Sequence, residues 1–191
     1  MASPEPVAKR ASAGCQAVVG AGAGAVDPLS GLPDALLHAV LSFLPAPQVV
    51  RTCVLSRRWR HLWRSAPRVN IDEQDFGITV SRNSTCELEE RWGEFEDFAT
   101  NLLMFRDSSS SLSEFRFSSY LYNPRHVDRW IRRGLEFCPA VLKIVIYLFS
   151  DHGHFRMPPV ADTRFRRLKT LYLRNVALDG HHRPALFGHI E

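Results

Sequence analysis

The chain has 191 residues, 45% hydrophobic and 23% charged, with a formal net charge of +4 and a pI near 9.1. That length holds one ordinary domain, or a small module with a modest second one, and the composition is that of a soluble globular chain. Its longest strongly apolar run, around residues 140–149, is broken by Lys143 and is far too short to span a bilayer.

Cys15, Cys53, Cys86 and Cys138 form no C-x-x-C pair and have no regular spacing. Reduced thiols in the cytoplasm or nucleus are the expectation. Basic residues are scattered over 57–64, 129–133 and 164–167. Dispersed charge fits solvated helix faces better than a nucleic-acid stripe, which stays the less favoured reading.

Residues 1–26 are rich in Ala, Gly and Pro and carry no large aromatic, as a disordered leader would. The Gly20–Gly24 stretch lacks the Gly-Lys-Ser/Thr ending of a phosphate loop. No continuous apolar run follows Lys9 and Arg10, so a secretory signal is not expected.

Residues 27–72 read as three short helices. Pro33 stands where a first turn begins, and Leu36, Leu37, Val40, Leu41 and Leu44 follow at helical spacing. Pro45 and Pro47 are expected to stop that helix. Val49, Val50, Cys53 and Val54 make a second stripe, and Ser56 is the expected N-cap of a third helix in which Trp59, Leu62 and Trp63 share a face. Arg57, Arg58, Arg60, His61 and Arg64 take the other face. Burying a large apolar side chain is worth roughly 1.5–3 kcal/mol, and ordering each residue costs about 1.5 kcal/mol. A unit this small therefore has to dock its surplus apolar surface elsewhere.

The run Leu32-Pro33-Asp34, Leu36-Leu37 and Leu41-Ser42-Phe43-Leu44-Pro45 resembles an F-box. So does Val50-Arg51-Thr52-Cys53-Val54-Leu55-Ser56-Arg57-Arg58-Trp59-Arg60, with Leu62-Trp63 and Pro67 behind it. The likeness is to the plant group with leucine-rich repeats behind the F-box. It implies a docking subunit that binds a Skp-type adaptor and, through it, a cullin–RING ubiquitin ligase. Carried over by position, the candidates for that interface or its support are Leu32, Pro33, Leu36, Leu37, Val40, Leu41, Val54, Leu55, Trp59, Leu62 and Trp63. Some of these must instead form the internal core of the module.

Residues 73–86 are polar and turn-rich and read as a linker. A helix follows, with Leu88, Trp92, Phe95, Phe98, Leu102 and Phe105 inward and an acidic outer face. Asp107–Ser111 is expected to close it, and residues 111–117 alternate as a strand. Asn123-Pro124 signals a second helix start, with Val127, Trp130, Ile131 and Leu135 inward until Cys138-Pro139 ends it. Strands are expected at 141–147 and 168–173.

Aligned on Leu112-x-x-Phe115-x-Phe117, Val141-x-x-Ile144-x-Ile146 and Leu168-x-x-Leu171-x-Leu173, the strands give a leucine-rich-repeat-like segment over 87–180. Phe95–Phe98 and Val127–Arg132 also resemble the first repeats behind plant F-boxes. The tail, 181–191, carries no further copy, which suggests a shortened product. The fold class is mixed, α+β or α/β: a three-helix F-box module before a short helix/strand segment.

His152, His154, His181 and His182 have no cysteine or carboxylate at ligand spacing, so neither metal nor cofactor is expected. No nucleophile triad, phosphate loop or paired-acid site can be built from spacing. The expectation is a non-enzyme of the cytoplasm or nucleus, a substrate receptor that presents a protein client for ubiquitination. The alternative is a form that occupies the adaptor without delivering a client.

Overall fold

The computed structural model describes residues 31–78, 85–120, 123–147, 155–159 and 161–178. The expected leader 1–26 and tail 181–191 lie outside them, as do the four histidines named above.

Three short helices open the described chain: α1 (Asp34–Leu41), α2 (Ala46–Arg51) and α3 (Trp59–Leu62). Pro33 and Pro45 occupy the N-caps of α1 and α2, and Pro47 stands in the first turn of α2. Pro45 and Pro47 thus start a helix rather than merely stop one, as a residue with a preset φ and no N–H can. Ser56 does not cap α3. That helix starts at Trp59 behind Arg58, and the Ser56 hydroxyl is buried without a partner.

Next comes β1 (Arg68–Asp72), within the stretch assigned by sequence to the helical module. Its signal is weak because Val69 and Ile71 are its only inward apolar residues. The expected linker begins as a 3-10 turn, Glu73–Phe76, and both Glu73 and Ile78 are fully buried. Residues 79–84 lie outside the described set.

The remaining elements are α4 (Thr85–Met104), β2 (Glu114–Tyr120), α5 (Pro124–Glu136), β3 (Val141–Tyr147), β4 (Phe155–Arg156), β5 (Thr170–Arg174) and β6 (Val176–Ala177). A four-stranded sheet runs in the order β1-β2-β3-β5, parallel throughout, and β4 pairs in parallel with β6. Parallel neighbours need a crossover, which α4 supplies between β1 and β2 and α5 between β2 and β3. The fold is therefore mixed α and β, as the sequence implies.

Asn123 caps α5 by accepting from the Arg125 N–H at 3.1 Å, and Val127, Trp130, Ile131 and Leu135 are buried as expected. Phe105 departs from the expected inward stripe: α4 ends at Met104, and the Phe105 side chain beyond it is 52% exposed. The strand register also differs from the sequence alignment. Phe115 and Phe117 sit beside Leu142 and Ile144, and these sit beside Leu171 and Leu173. The shift of β3 is two residues, so every side chain keeps its face.

One core packs α4 and α5 against one side of the sheet. Trp130 stands at its centre, 5.4 Å from the Phe95 ring and 5.9 Å from the Phe117 ring, and its Nε1–H donates to Thr100 at 3.0 Å. A smaller core lies inside the helical unit, made by Leu37, Leu41, Val49, Trp59 and Leu62. Trp63 packs against both cores and joins them.

Candidate functional site

Helix α1 carries two apolar stripes. Leu37 and Leu41 point inward at 0% and 1% exposure, while Leu36, Val40 and Phe43 stand outside at 52%, 49% and 81%. The outer three are separated by four and three residues, so they line one side of the helix and its following turn. A second outer pair, Val54 (83% exposed) and Leu55 (59%), ends the 3-10 turn Thr52–Val54 after α2.

Polar contacts fix the frame. The Arg58 Nε–H donates to Asp34 at 3.1 Å, tying α3 to the start of α1. His38 Nε2 lies 3.3 Å from the Leu62 carbonyl oxygen and 3.1 Å from the Ser65 hydroxyl. The Ser113 N–H donates to the Pro67 carbonyl at 2.7 Å, and Asp107 N–H to that of Arg64 at 3.1 Å. The helical unit is thus bonded to the sheet unit.

Among the described residues, no helix covers the sheet face away from α4 and α5. Across it run the register partners Arg68 and Glu114, then Arg116 and Lys143, and farther along Tyr120 and Tyr147. Glu114 is only 7% exposed, yet it meets three cations from three strands: Arg116 at 2.5 Å, and Arg68 and Lys143 at 3.6 Å each. Burial alone would raise its carboxyl, but the Arg116 hydrogen bond and the charges of Arg116, Lys143 and Arg68 hold it below the usual range. Where this face meets the helical unit there is a cleft of about 280 Å³, lined by Ser42–Pro45, Arg68–Asn70, Glu114 and Arg116.

Among the described residues, no cluster of His, Cys, Asp and Glu could hold a metal ion, and no helix is long and apolar enough to cross a membrane.

The F-box domain family matches residues 29–70, which cover the three helices and most of β1. The chain is also similar over 164 residues, at 32% identity, to an FBD-associated F-box protein of Arabidopsis thaliana, covering 85% of this chain and 37% of that protein. The chain is an F-box protein of the plant F-box/LRR type. It is 36% identical over 112 residues to an F-box/LRR-repeat protein of Arabidopsis thaliana, covering 58% of this chain and 23% of that protein. It is 35% identical over 153 residues to the meiotic F-box protein MOF of Oryza sativa subsp. japonica, covering 76% and 31%. The chain spans about a quarter to just over a third of the length of these curated relatives.

Within the F-box, the structure divides the candidate residues into three groups. Leu37, Leu41, Trp59 and Leu62 are core. Leu32 and Trp63 are half-buried, Trp63 as the joint between the two cores. Pro33, Leu36, Val40, Val54 and Leu55 face outward. Phe43, missed in sequence, joins the outward group as the most exposed residue of the α1 stripe. Its position seven residues after Leu36 was the available signal, hidden by the proline-marked helix end.

Proposed function

We propose that this F-box chain is a non-catalytic docking subunit of a cullin–RING ubiquitin ligase. Leu36, Val40 and Phe43 on α1, with Val54 and Leu55, seat a Skp-type adaptor, while the sheet unit holds a protein client. One observation carries the reading. The F-box completes its own small core and docks on the sheet through Ala46, Val50 and Trp63, yet leaves five large apolar side chains outside. Large exposed apolar groups on one small unit mark a surface completed by a partner. Arg57, Arg60, His61 and Arg64, exposed on the same unit, would steer an acidic adaptor surface toward it.

The test is capture of a purified Skp-type adaptor by the full chain. Leu36→Asp with Val54→Asp should abolish capture and leave the thermal unfolding midpoint in place. Equal capture by wild type and the double variant would overturn the reading. Trp59→Ala is a poor probe of the interface, because Trp59 is 3% exposed and its loss opens the F-box core.

A competing role is to occupy the adaptor without delivering a client. Ubiquitin transfer to a bound client separates the two roles. The site of action we propose is the cytoplasm, the nucleus or both, to be read from a fluorescent fusion.

A further inference from the structure

We infer that the open sheet face recognises an extended acidic segment with carboxylates at alternate positions; this rests on the proposed client-holding role of the sheet unit. The face carries more cations than carboxylates: Arg68, Arg116, Lys143 and Arg174 against Glu114 and, on β1 in the cross-strand row of Arg174, Asp72. Glu114 is the carboxylate that Arg68, Arg116 and Lys143 surround, and those side chains stay 48%, 46% and 38% exposed while that of Glu114 is 9% exposed. One buried anion thus holds three half-exposed cations at a fixed place, leaving an excess of positive charge directed at solvent. Arg174, exposed on β5, extends the basic zone to the fourth strand.

Spacing supplies the second argument. Lys143 is the register partner of Tyr172, so Arg174 is its diagonal neighbour on the next strand. Diagonal neighbours on one sheet face lie roughly 7–8 Å apart. Alternate side chains of an extended peptide are separated by roughly 7 Å. An extended chain laid across the face can therefore set one carboxylate over Arg116 and Lys143 and the next over Arg174. Because Glu114 already organises the first pair, little side-chain ordering remains to be done on binding.

The experiment is fluorescence anisotropy of the full chain with a fluorescein-labelled peptide alternating glutamate and serine. A glutamine–serine peptide and a single-stranded oligonucleotide serve as controls. The glutamate peptide should bind at least about tenfold tighter than the glutamine one, a difference of about 1.4 kcal/mol. Arg116→Glu with Lys143→Glu should remove that margin. Arg174→Glu, which leaves the Glu114 cluster intact, should weaken binding on its own, whereas Arg125→Glu on the surface of α5 should not. Equal binding of the two peptides, equal loss from Arg125→Glu, or tighter binding of the oligonucleotide would each overturn the inference. Adaptor capture is measured on the same variants. Capture that survives while the peptide margin is absent sinks only this inference, whereas lost capture in the wild type sinks the docking role.

Discussion

The Ser119 hydroxyl donates a hydrogen bond of 2.6 Å to Glu73, and the Tyr120 N–H donates to the same carboxylate oxygen at 2.7 Å. The other oxygen, Oε1, is buried with no partner. Burial pushes the Glu73 carboxyl up to about 7, against the lowering effect of its two donors and with a small upward push from Asp72. The folded state therefore holds a proton that the unfolded chain releases near its ordinary value of 4.5. Stability contributed by the neutral form is present at low pH and is lost as the pH rises from about 4.5 to about 7. The steepest slope from this group is about 1.4 kcal/mol per pH unit. Glu73→Gln keeps the acceptor and removes the titration, so its unfolding midpoint should exceed wild type at pH 8 and match it near pH 4. Urea melts at the two pH values check this.

Gly134 lies inside α5, where glycine costs roughly 1 kcal/mol relative to alanine. It is tolerated there because the Phe115 ring fills the space: a Cβ at position 134 would come within 2.1 Å of that ring. Gly134→Ala should therefore destabilise despite its better helix propensity, by about 1–3 kcal/mol from overpacking. Gly134→Ala combined with Phe115→Leu should recover part of the loss. Additive destabilisation in a double-mutant cycle would show that the two positions do not meet.

The same contact illustrates what the sequence could and could not reveal. The inward stripe of α5 was legible because Val127, Trp130, Ile131 and Leu135 repeat at helical spacing, and β3 was legible because Val141, Ile144, Val145 and Ile146 are β-branched. Strand β1 was not, since two apolar residues in a five-residue strand carry almost no periodic signal. Register was read two residues off because alternate inward side chains are chemically interchangeable. In the F-box, every candidate was apolar, and pattern alone cannot separate the outward stripe Leu36–Val40–Phe43 from the inward Leu37–Leu41. Only packing against Trp59 and Leu62 decides it. Most of the open-face ion cluster was invisible for another reason: Arg68 and Lys143 reach Glu114 only through strand pairing, whereas Arg116 lies two residues from it on the same strand.

Cys138 follows the C-cap of α5 with φ +48°, in the left-handed region. Its N–H donates to the Leu135 carbonyl at 3.0 Å, so the conformation closes the helix end. Glycine adopts this geometry without a Cβ penalty and is the usual residue at that position. Cys138→Gly should raise stability by about 0.5–1 kcal/mol, the relief of left-handed strain less the added entropy of the unfolded chain. Cys138→Val, β-branched and ill suited to positive φ, should lower it. Thermal melts of the pair give opposite signs if backbone strain governs this position.

Leu36 and Leu37 are neighbours in sequence and opposites in environment, one 52% exposed and the other fully buried. Leu37→Ala should cost about 2–5 kcal/mol, because it opens a cavity against the small F-box core. Leu36→Ala should change stability by less than about 0.5 kcal/mol, as an exposed substitution does. Adaptor capture should respond in the reverse sense at temperatures where both variants stay folded: weakened by Leu36→Ala, retained by Leu37→Ala. Amide exchange across residues 34–65 reports whether the F-box opens. If Leu36→Ala accelerated that exchange as much as Leu37→Ala, the outward stripe would be part of the core and the docking surface would have to lie elsewhere on the unit.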